Sequence, residues 1–350
     1  MPITTTYPGV YIEELQSSAM SISNSATAVP VFAIADDDKV FTKATRVTSW
    51  LNYMEEKKGI FDITSVRDVS MRSYFENGGG RCYLIPVKAL EAEIPKLDDV
   101  TLLVAAGQDI TSVVAKLCVE GNNLFAILDG PNTIELDDKW SDAYDENANT
   151  AIYYPWLSAT WSAVNIPPSA AVAGLYCLND RTRGVWKAPA NISLQGGLMP
   201  SCKVTDEFQG QHMDGKALNM IRQFGNDSPV IWGARTCKDS DAWRYIPVRR
   251  LFNSVEKDIK DAMKIAMFEP NHQPTWERVR SAVNNYLHAI WKQGALTGSS
   301  PEEAYFVQIG KDVTMTDDDV KQGKMIVKVG IAAVRPAEFI ILQFSQDVAK

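Results

Sequence analysis

The spacing of apolar residues changes period along the chain, and each period predicts an element. Residues 28–35 (Ala-Val-Pro-Val-Phe-Ala-Ile-Ala) and 124–128 (Leu-Phe-Ala-Ile-Leu) are continuous apolar runs. Runs without polar alternation suit strands covered on both faces, as in a parallel sheet. Between them the spacing predicts helices over 48–58 and 64–76. The second ends at Asn77-Gly78-Gly79-Gly80, where glycine closes a helix in the left-handed conformation, and a strand over 82–87 follows at once. A helix over 110–120, the strand ending at Asp129, a strand over 151–156 and a helix over 170–178 behind Pro167-Pro168-Ser169 continue the alternation. This order predicts an α/β layer with a largely parallel sheet.

From Gly184 the texture changes. Trp186, Pro189, Gly196, Gly197 and Pro200 mark irregular chain before apolar segments at 218–224 and 229–235. Val255, Ile259, Ala262, Met263, Ala266 and Met267 then recur at helical spacing, with Asn253 and Glu256 as a candidate capping box. In a second helix Trp276, Val279, Val283, Tyr286, Leu287, Ile290 and Trp291 share one face, and Gly294 closes it. Strand-like segments at 323–330 and 337–344 follow. The fold class expected is α/β, α+β overall: an α/β domain over 21–200, a C-terminal α+β domain over 201–336, and strand-like segments at 1–20 and 337–350.

Those two end segments are unusual. Residues 6–14 read as a short strand, but the run from Ser17 to Ala26 is small and polar like a linker. A strand ahead of a linker has no partner nearby in sequence, and a bare strand edge invites one from another chain. The second segment is apolar on both faces, so it belongs in a sheet, its own or that of a neighbour. Tyr7, Val10, Tyr11 and Ile12 at one end, and Phe339, Ile340, Ile341, Leu342 and Phe344 at the other, are the residues expected to make such a joint.

Composition narrows the function. The 350-residue chain carries a net charge of −8 and has no basic block, which argues against nucleic-acid binding. No leader segment is evident, and no apolar run is long enough for membrane insertion. Five widely spaced cysteines without a Cys-x-x-Cys pair suggest buried, reduced thiols and synthesis in the cytoplasm. Only His212, His272 and His288 are present, without metal-ligand spacing. Gly78–Gly80 run from helix to strand, the reverse of a phosphate loop. Ser169 lacks the glycines of a nucleophile elbow. Asp129 ends a strand in an α/β layer, a common place for a catalytic carboxylate, but no base partners it in the sequence. No catalytic, cofactor-binding or metal-binding residue is expected. Residues 316–322 read as a short helix with Thr316 as N-cap and three carboxylates in the first turn.

Seven stretches, in order, resemble contractile tail sheath proteins: Thr6–Glu14, Tyr74–Tyr83, Pro167–Gly174, Arg183–Asn191, Trp232–Thr236, Tyr245–Arg250 and Arg335–Ile340. The length is most similar to the compact sheaths of extracellular contractile injection systems, of virulence-cassette and antifeeding type, or of R-type tailocins. The resemblance implies an outer, sandwich-like α/β domain, a tube-facing C-terminal domain, and arms joined to neighbouring copies by strand addition. It implies a structural subunit stacked in rings around an inner tube, contracting to drive that tube through a target envelope. The implied partners are further copies, the tube protein, and baseplate and terminator or cap proteins, in a phage tail-like particle released extracellularly. Asp317, Asp318, Asp319 and Lys321 then carry two readings, a capped surface helix or an acidic element meeting the tube. The competing readings are an α/β hydrolase-like or nucleotide-dependent enzyme, a phage rather than injection-system sheath, and a baseplate or cap protein.

Overall fold

The computed structural model describes residues 21–136, 139–339 and 341. Its strands are β1 (Pro30–Ile34), β2 (Thr45–Val47), β3 (Cys82–Pro86), β4 (Leu102–Val104), β5 (Phe125–Asp129), β6 (Thr150–Tyr154), the two-residue pair β7 (Leu157–Ser158) and β8 (Met199–Pro200), then β9 (Leu218–Arg222), β10 (Val230–Trp232), β11 (Tyr305–Gln308) and β12 (Lys328–Ile331). Eight of them form one sheet in the order β10-β9-β6-β5-β4-β1-β3-β2. The six inner strands are parallel, and β10 and β2 join antiparallel at the edges.

The apolar runs are what a doubly covered sheet needs, because successive side chains point to opposite faces. On one face Phe32, Ile34, Leu102, Val104, Phe125, Ile127 and Tyr153 meet the helices Val66–Glu76 and Pro168–Arg183. On the other, Val31, Ala33, Leu103, Ala126, Leu128 and Ile152 meet the helix Thr111–Leu117 and Phe208. Gly174 sets the closeness of the first pair of helices: a Cβ there would lie 2.4 Å from the Tyr74 carbonyl oxygen. A third apolar cluster joins the helices Ile246–Met263 and Gln273–Lys292 to the ribbon of β11 and β12.

Two buried polar groups fasten these layers. Asp68, fully buried, accepts from the Tyr53 hydroxyl at 2.6 Å and the Asp62 amide at 2.9 Å and pairs with Lys57 and Arg67. Burial alone would raise its carboxyl, but these donors outweigh it and hold the group below the usual carboxylate range. Asp180, on Pro168–Arg183, pairs with Arg250, on Ile246–Met263, at 2.6 and 3.0 Å, and the guanidinium lies over the Tyr176 ring. Both side chains of that pair are almost wholly buried.

Several expectations change. The helix read around Val255 begins at Ile246, with Pro247 in its first turn, so Asn253 is interior and not part of a capping box. Asn253 instead accepts from Arg249 and donates to Asn149 across the layers. Met267 is exposed. The sheet runs on through β9 and β10, so a border near Pro200 cuts through it. The expected strand over 323–330 is shorter and shifted, to Lys328–Ile331. Residues 334–339 have no regular structure. Tyr7, Val10, Tyr11, Ile12, Ile340, Leu342 and Phe344 lie outside the described residues.

Candidate functional site

Of the candidate chemical groups, the structure brings Asp129 and Ser169 together. The Ser169 amide donates to Asp129 at 2.7 Å and its hydroxyl donates at 2.9 Å, while the Gly107 amide donates at 2.8 Å. Ser169 Oγ also accepts from the Ala106 amide at 2.9 Å. Burial pushes the Asp129 carboxyl up to about 6, against the pull of these donors. Every polar valence here ties the start of Pro168–Arg183 to the ends of β4 and β5. No histidine joins them: His212 bonds the Phe208 carbonyl, His272 bonds Thr275, and His288 lies beside Tyr305. Among the described residues no cluster of His, Cys, Asp or Glu could hold a metal ion.

The terminal segments are a different kind of site. Each is pinned to the body just before it leaves the described residues. At the N-terminal side, the Ser25 amide donates to Asp258 at 2.9 Å, and Asp258 also accepts from the Tyr286 hydroxyl at 2.7 Å. Two residues on, the Thr27 hydroxyl donates to Asp180 at 2.6 Å and its carbonyl accepts from Arg250 at 3.1 Å. The segment therefore sits on the same buried pair that joins the layers.

At the C-terminal side, Glu338 is held by Arg235. The guanidinium Nε lies 3.0 and 3.1 Å from the two carboxylate oxygens, and a terminal nitrogen lies 2.8 Å from Oε2. The Tyr245 hydroxyl donates to the same Oε2 at 3.2 Å. Arg235 is itself fixed: its backbone is bonded in both directions by Asn219 of β9, and its other terminal nitrogen donates to the Met213 carbonyl. Residues 334–339 border an open groove of about 1130 Å³ between Trp186, Trp232 and Tyr245. Immediately past the pinned carboxylate, Phe339 is 70% exposed and Ile341 81% exposed. They are the two expected arm residues whose environment is described, and the body does not bury them.

The ribbon offers backbone edges. The Ala332 amide donates to the Ala304 carbonyl, and the register pairs Phe306 with Gly330 and Gln308 with Lys328. Antiparallel pairing alternates, so the even-numbered residues bond across the ribbon. Val307 on β11, and Val329 and Ile331 on β12, then turn their N–H and C=O groups outward, while the Tyr305 amide is taken by the Pro301 carbonyl. Among the described residues no third strand meets either edge. Their side chains pack inward on the helices, while Phe306 covers Gly330 on the outer face.

The acidic helix is Asp317–Lys321, and Thr316 is its N-cap as expected, with Asp319 completing a capping box. Bonds from Thr316 hold the Asp319 carboxyl below its ordinary range. Asp317 lies 2.7 Å from Lys311, Asp318 lies 3.7 Å from Lys321 and Asp319 lies 3.7 Å from Lys324. The triplet is thus interleaved with lysines, and Asp319 is engaged in the helix itself.

Comparison with known proteins identifies the class. Residues 238–347 match the family model of the phage tail sheath C-terminal domain. The structure matches the PVC sheath complex of an extracellular contractile injection system, in its contracted state, with a TM-score of 0.92 and 57% identity over 99% of both chains. It matches the contracted helical sheath of the anti-feeding prophage (AFP) with a TM-score of 0.82 and 44% identity, over 98% of this chain and 100% of that one. The tail sheath protein of Vibrio phage KVP40 is 25% identical over 184 residues, or 51% of this chain. That match spans only 26% of the phage protein. The chain belongs to the contractile sheath protein family. Within it, the chain is a sheath protein of the type found in extracellular contractile injection systems.

Sequence reasoning missed Arg235, Tyr245 and Glu338 as a unit. Glu338 lies inside a stretch quoted for the family resemblance, and a lone charge between apolar residues was the available signal.

Proposed function

We propose that the protein polymerises as stacked rings around an inner tube and, by contracting, drives that tube through a target envelope. Its role is structural, with no catalysis. Baseplate and terminator or cap proteins close the ends of the array, and the finished particle acts outside the producing cell. The observation that carries this reading is the pairing of an open-edged ribbon with exposed apolar residues at the root of the C-terminal arm. An apolar strand that leaves its own body, and a ribbon that lacks strands, complement one another between copies. In this reading the arms are residues 1–20 and 337–350, and strand addition onto β11 and β12 buries Val10, Ile12, Phe339, Ile341 and Phe344. Each added backbone bond contributes about 0.5–1.5 kcal/mol net, so a mesh of many such bonds holds while whole subunits turn. Residues 21–336 form the body, with the cluster around Gln273–Lys292 as its tube-facing part.

The acidic helix serves as a releasable contact with a basic tube surface, through Asp317 and Asp318 together with Lys321. Exposed charge contacts are screened by salt and readily broken. Replacing Asp317 and Asp318 with Asn, while keeping Asp319 as the cap, should weaken tube–sheath assembly at low salt more than at high salt. Unchanged assembly at both would remove the helix from the tube contact.

Deletion of residues 1–16 tests the arm reading. The truncated subunit should stay folded by circular dichroism and form no tubes or striated cylinders in electron micrographs. Normal cylinders from that truncation would overturn it. Turnover of an ester or nucleotide by the purified protein would instead favour the enzyme reading, against which the Asp129–Ser169 geometry stands.

A further inference from the structure

The geometry points to Arg235 and Tyr245 as positioning residues that set the register of the C-terminal arm by pinning Glu338. The inference rests on the reading of residues 339–350 as an arm, and the partner is a second copy of this chain presenting its open ribbon edge.

The argument starts from the contact. A guanidinium that meets both oxygens of a carboxylate fixes its orientation as well as its position. Here the guanidinium cannot drift, because Asn219 holds its backbone and Met213 takes its remaining nitrogen. The Tyr245 hydroxyl adds a third direction of approach. Glu338 is thereby fixed in rotation about the chain axis as well as in place. Side chains in an extended segment alternate between two faces. In an arm that runs on as a strand, fixing the direction of Glu338 therefore sets the face that Phe339 and Ile341 take. A strand that slips by one residue exchanges its two faces completely. An arm with apolar residues on both faces cannot correct such a slip by pattern alone. In this chain the correction comes from the charged residue at the root.

The position of the clasp supports the same reading. The segment before it is tied to the body, with the Val334 amide donating to the Ala295 carbonyl just past the helix Gln273–Lys292. Phe339 and Ile341 after it are exposed. The clasp stands at the boundary between chain that belongs to the body and chain that is offered outward.

The test uses the full-length protein with Glu338→Gln, Glu338→Ala, Arg235→Lys and Tyr245→Phe. Glu338 lies beside an open groove rather than in an apolar cluster. The unassembled Glu338 variants should therefore melt within about 2 °C of the parent, since one such contact is a small part of total stability. Hydrogen exchange at residues 334–339 should speed up while β9 and β10 stay protected. The yield of ordered sheath should fall on the order of tenfold for Glu338→Ala and Glu338→Gln, the loss of one charge-assisted contact. Arg235→Lys, which keeps the charge but loses the fork, should also assemble poorly, and Tyr245→Phe should lose least. If Glu338→Ala and Arg235→Lys assemble like the parent, with the same helical order, the clasp has no role in register and the inference fails. Deletion of residues 339–350 separates the two levels. If that deletion still polymerises, the arm reading fails and the inference with it. If the deletion abolishes assembly while Glu338→Ala does not affect it, the inference alone fails.

Discussion

In the eight-stranded sheet the β10 edge is covered by residues 191–194, with the Asn191 amide donating to Ile231, Ile231 to Ile192 and Leu194 to Pro229. The opposite edge stops at the three-residue strand β2, and short edge strands pair poorly with other chains. At the ribbon of β11 and β12, cover of this kind reaches only the chain past β12, where the Thr297 amide donates to Ala332 and the Val334 amide to Ala295. Both outer edges are free of strands among the described residues, and the inward faces alone are packed. One region satisfies its backbone within the subunit, and the other leaves strand edges that the proposed strand addition would use. The difference sets body against proposed joint: strand addition at the ribbon would leave the sheet closed.

The largest test of the closed region is the buried pair of Asp180 and Arg250. It joins the sheet layer to Ile246–Met263 and also carries Thr27, so both modules and the N-terminal segment depend on it. Replacing either partner with Ala leaves an uncompensated buried charge, at a cost of about 3–5 kcal/mol. Urea unfolding should show that loss as one cooperative transition at lower denaturant. Two separate transitions would mean that the modules are not locked together. Gly174→Ala should cost less, about 1–3 kcal/mol, because the new methyl meets the Tyr74 carbonyl and the helices must part.

Asp68 gives a smaller effect with a defined pH dependence. Its folded carboxyl lies below the ordinary value, so the unfolded chain binds the proton first as pH falls. The stabilisation is fully present above the unfolded carboxylate value of about 3.9, and is lost as pH falls through the folded one. Asp68→Asn should therefore flatten the acid limb of a stability-against-pH curve and leave its slope near pH 7 alone. An unchanged acid limb in the variant would mean that other carboxylates govern acid unfolding.

Much of the closed region was legible in the sequence. The runs at 28–35 and 124–128 are apolar at every step because β1 and β5 are covered on both faces, and the face of Trp276, Val279, Val283 and Ile290 packs as its spacing predicts. The start of Ile246–Met263 was misread because its interior Asn253 resembles a cap, although Pro247 in the first turn was the better marker. The border near Pro200 failed because β9 and β10 return to the sheet after a long irregular stretch, and strand order is a long-range property. The pins were invisible for the same reason. Arg235 and Glu338 are 103 residues apart, and Thr27 and Asp180 are 153 apart, so no local period relates them.

The smallest effect on the isolated subunit separates body from joint most sharply. Proline removes one amide donor and fixes φ near the extended range, so its cost in a ribbon depends on where that amide points. The Val307 amide points outward and the Phe306 amide points across to Gly330. Val307→Pro should therefore keep every ladder bond and leave the melting temperature within a few degrees, the loss of some packing being about 1 kcal/mol. Phe306→Pro, one residue away, breaks a ladder bond and uncovers Gly330, so it should lower the melting temperature further. In assembly the contrast should invert for its cause: Val307→Pro, though folded, removes a donor that an incoming strand needs. Light scattering and electron microscopy of the two variants, beside their melting curves, read this directly. A folded Val307→Pro subunit that forms normal cylinders would show that the β11 edge receives no strand, leaving β12 as the only edge of the ribbon on which strand addition could take place.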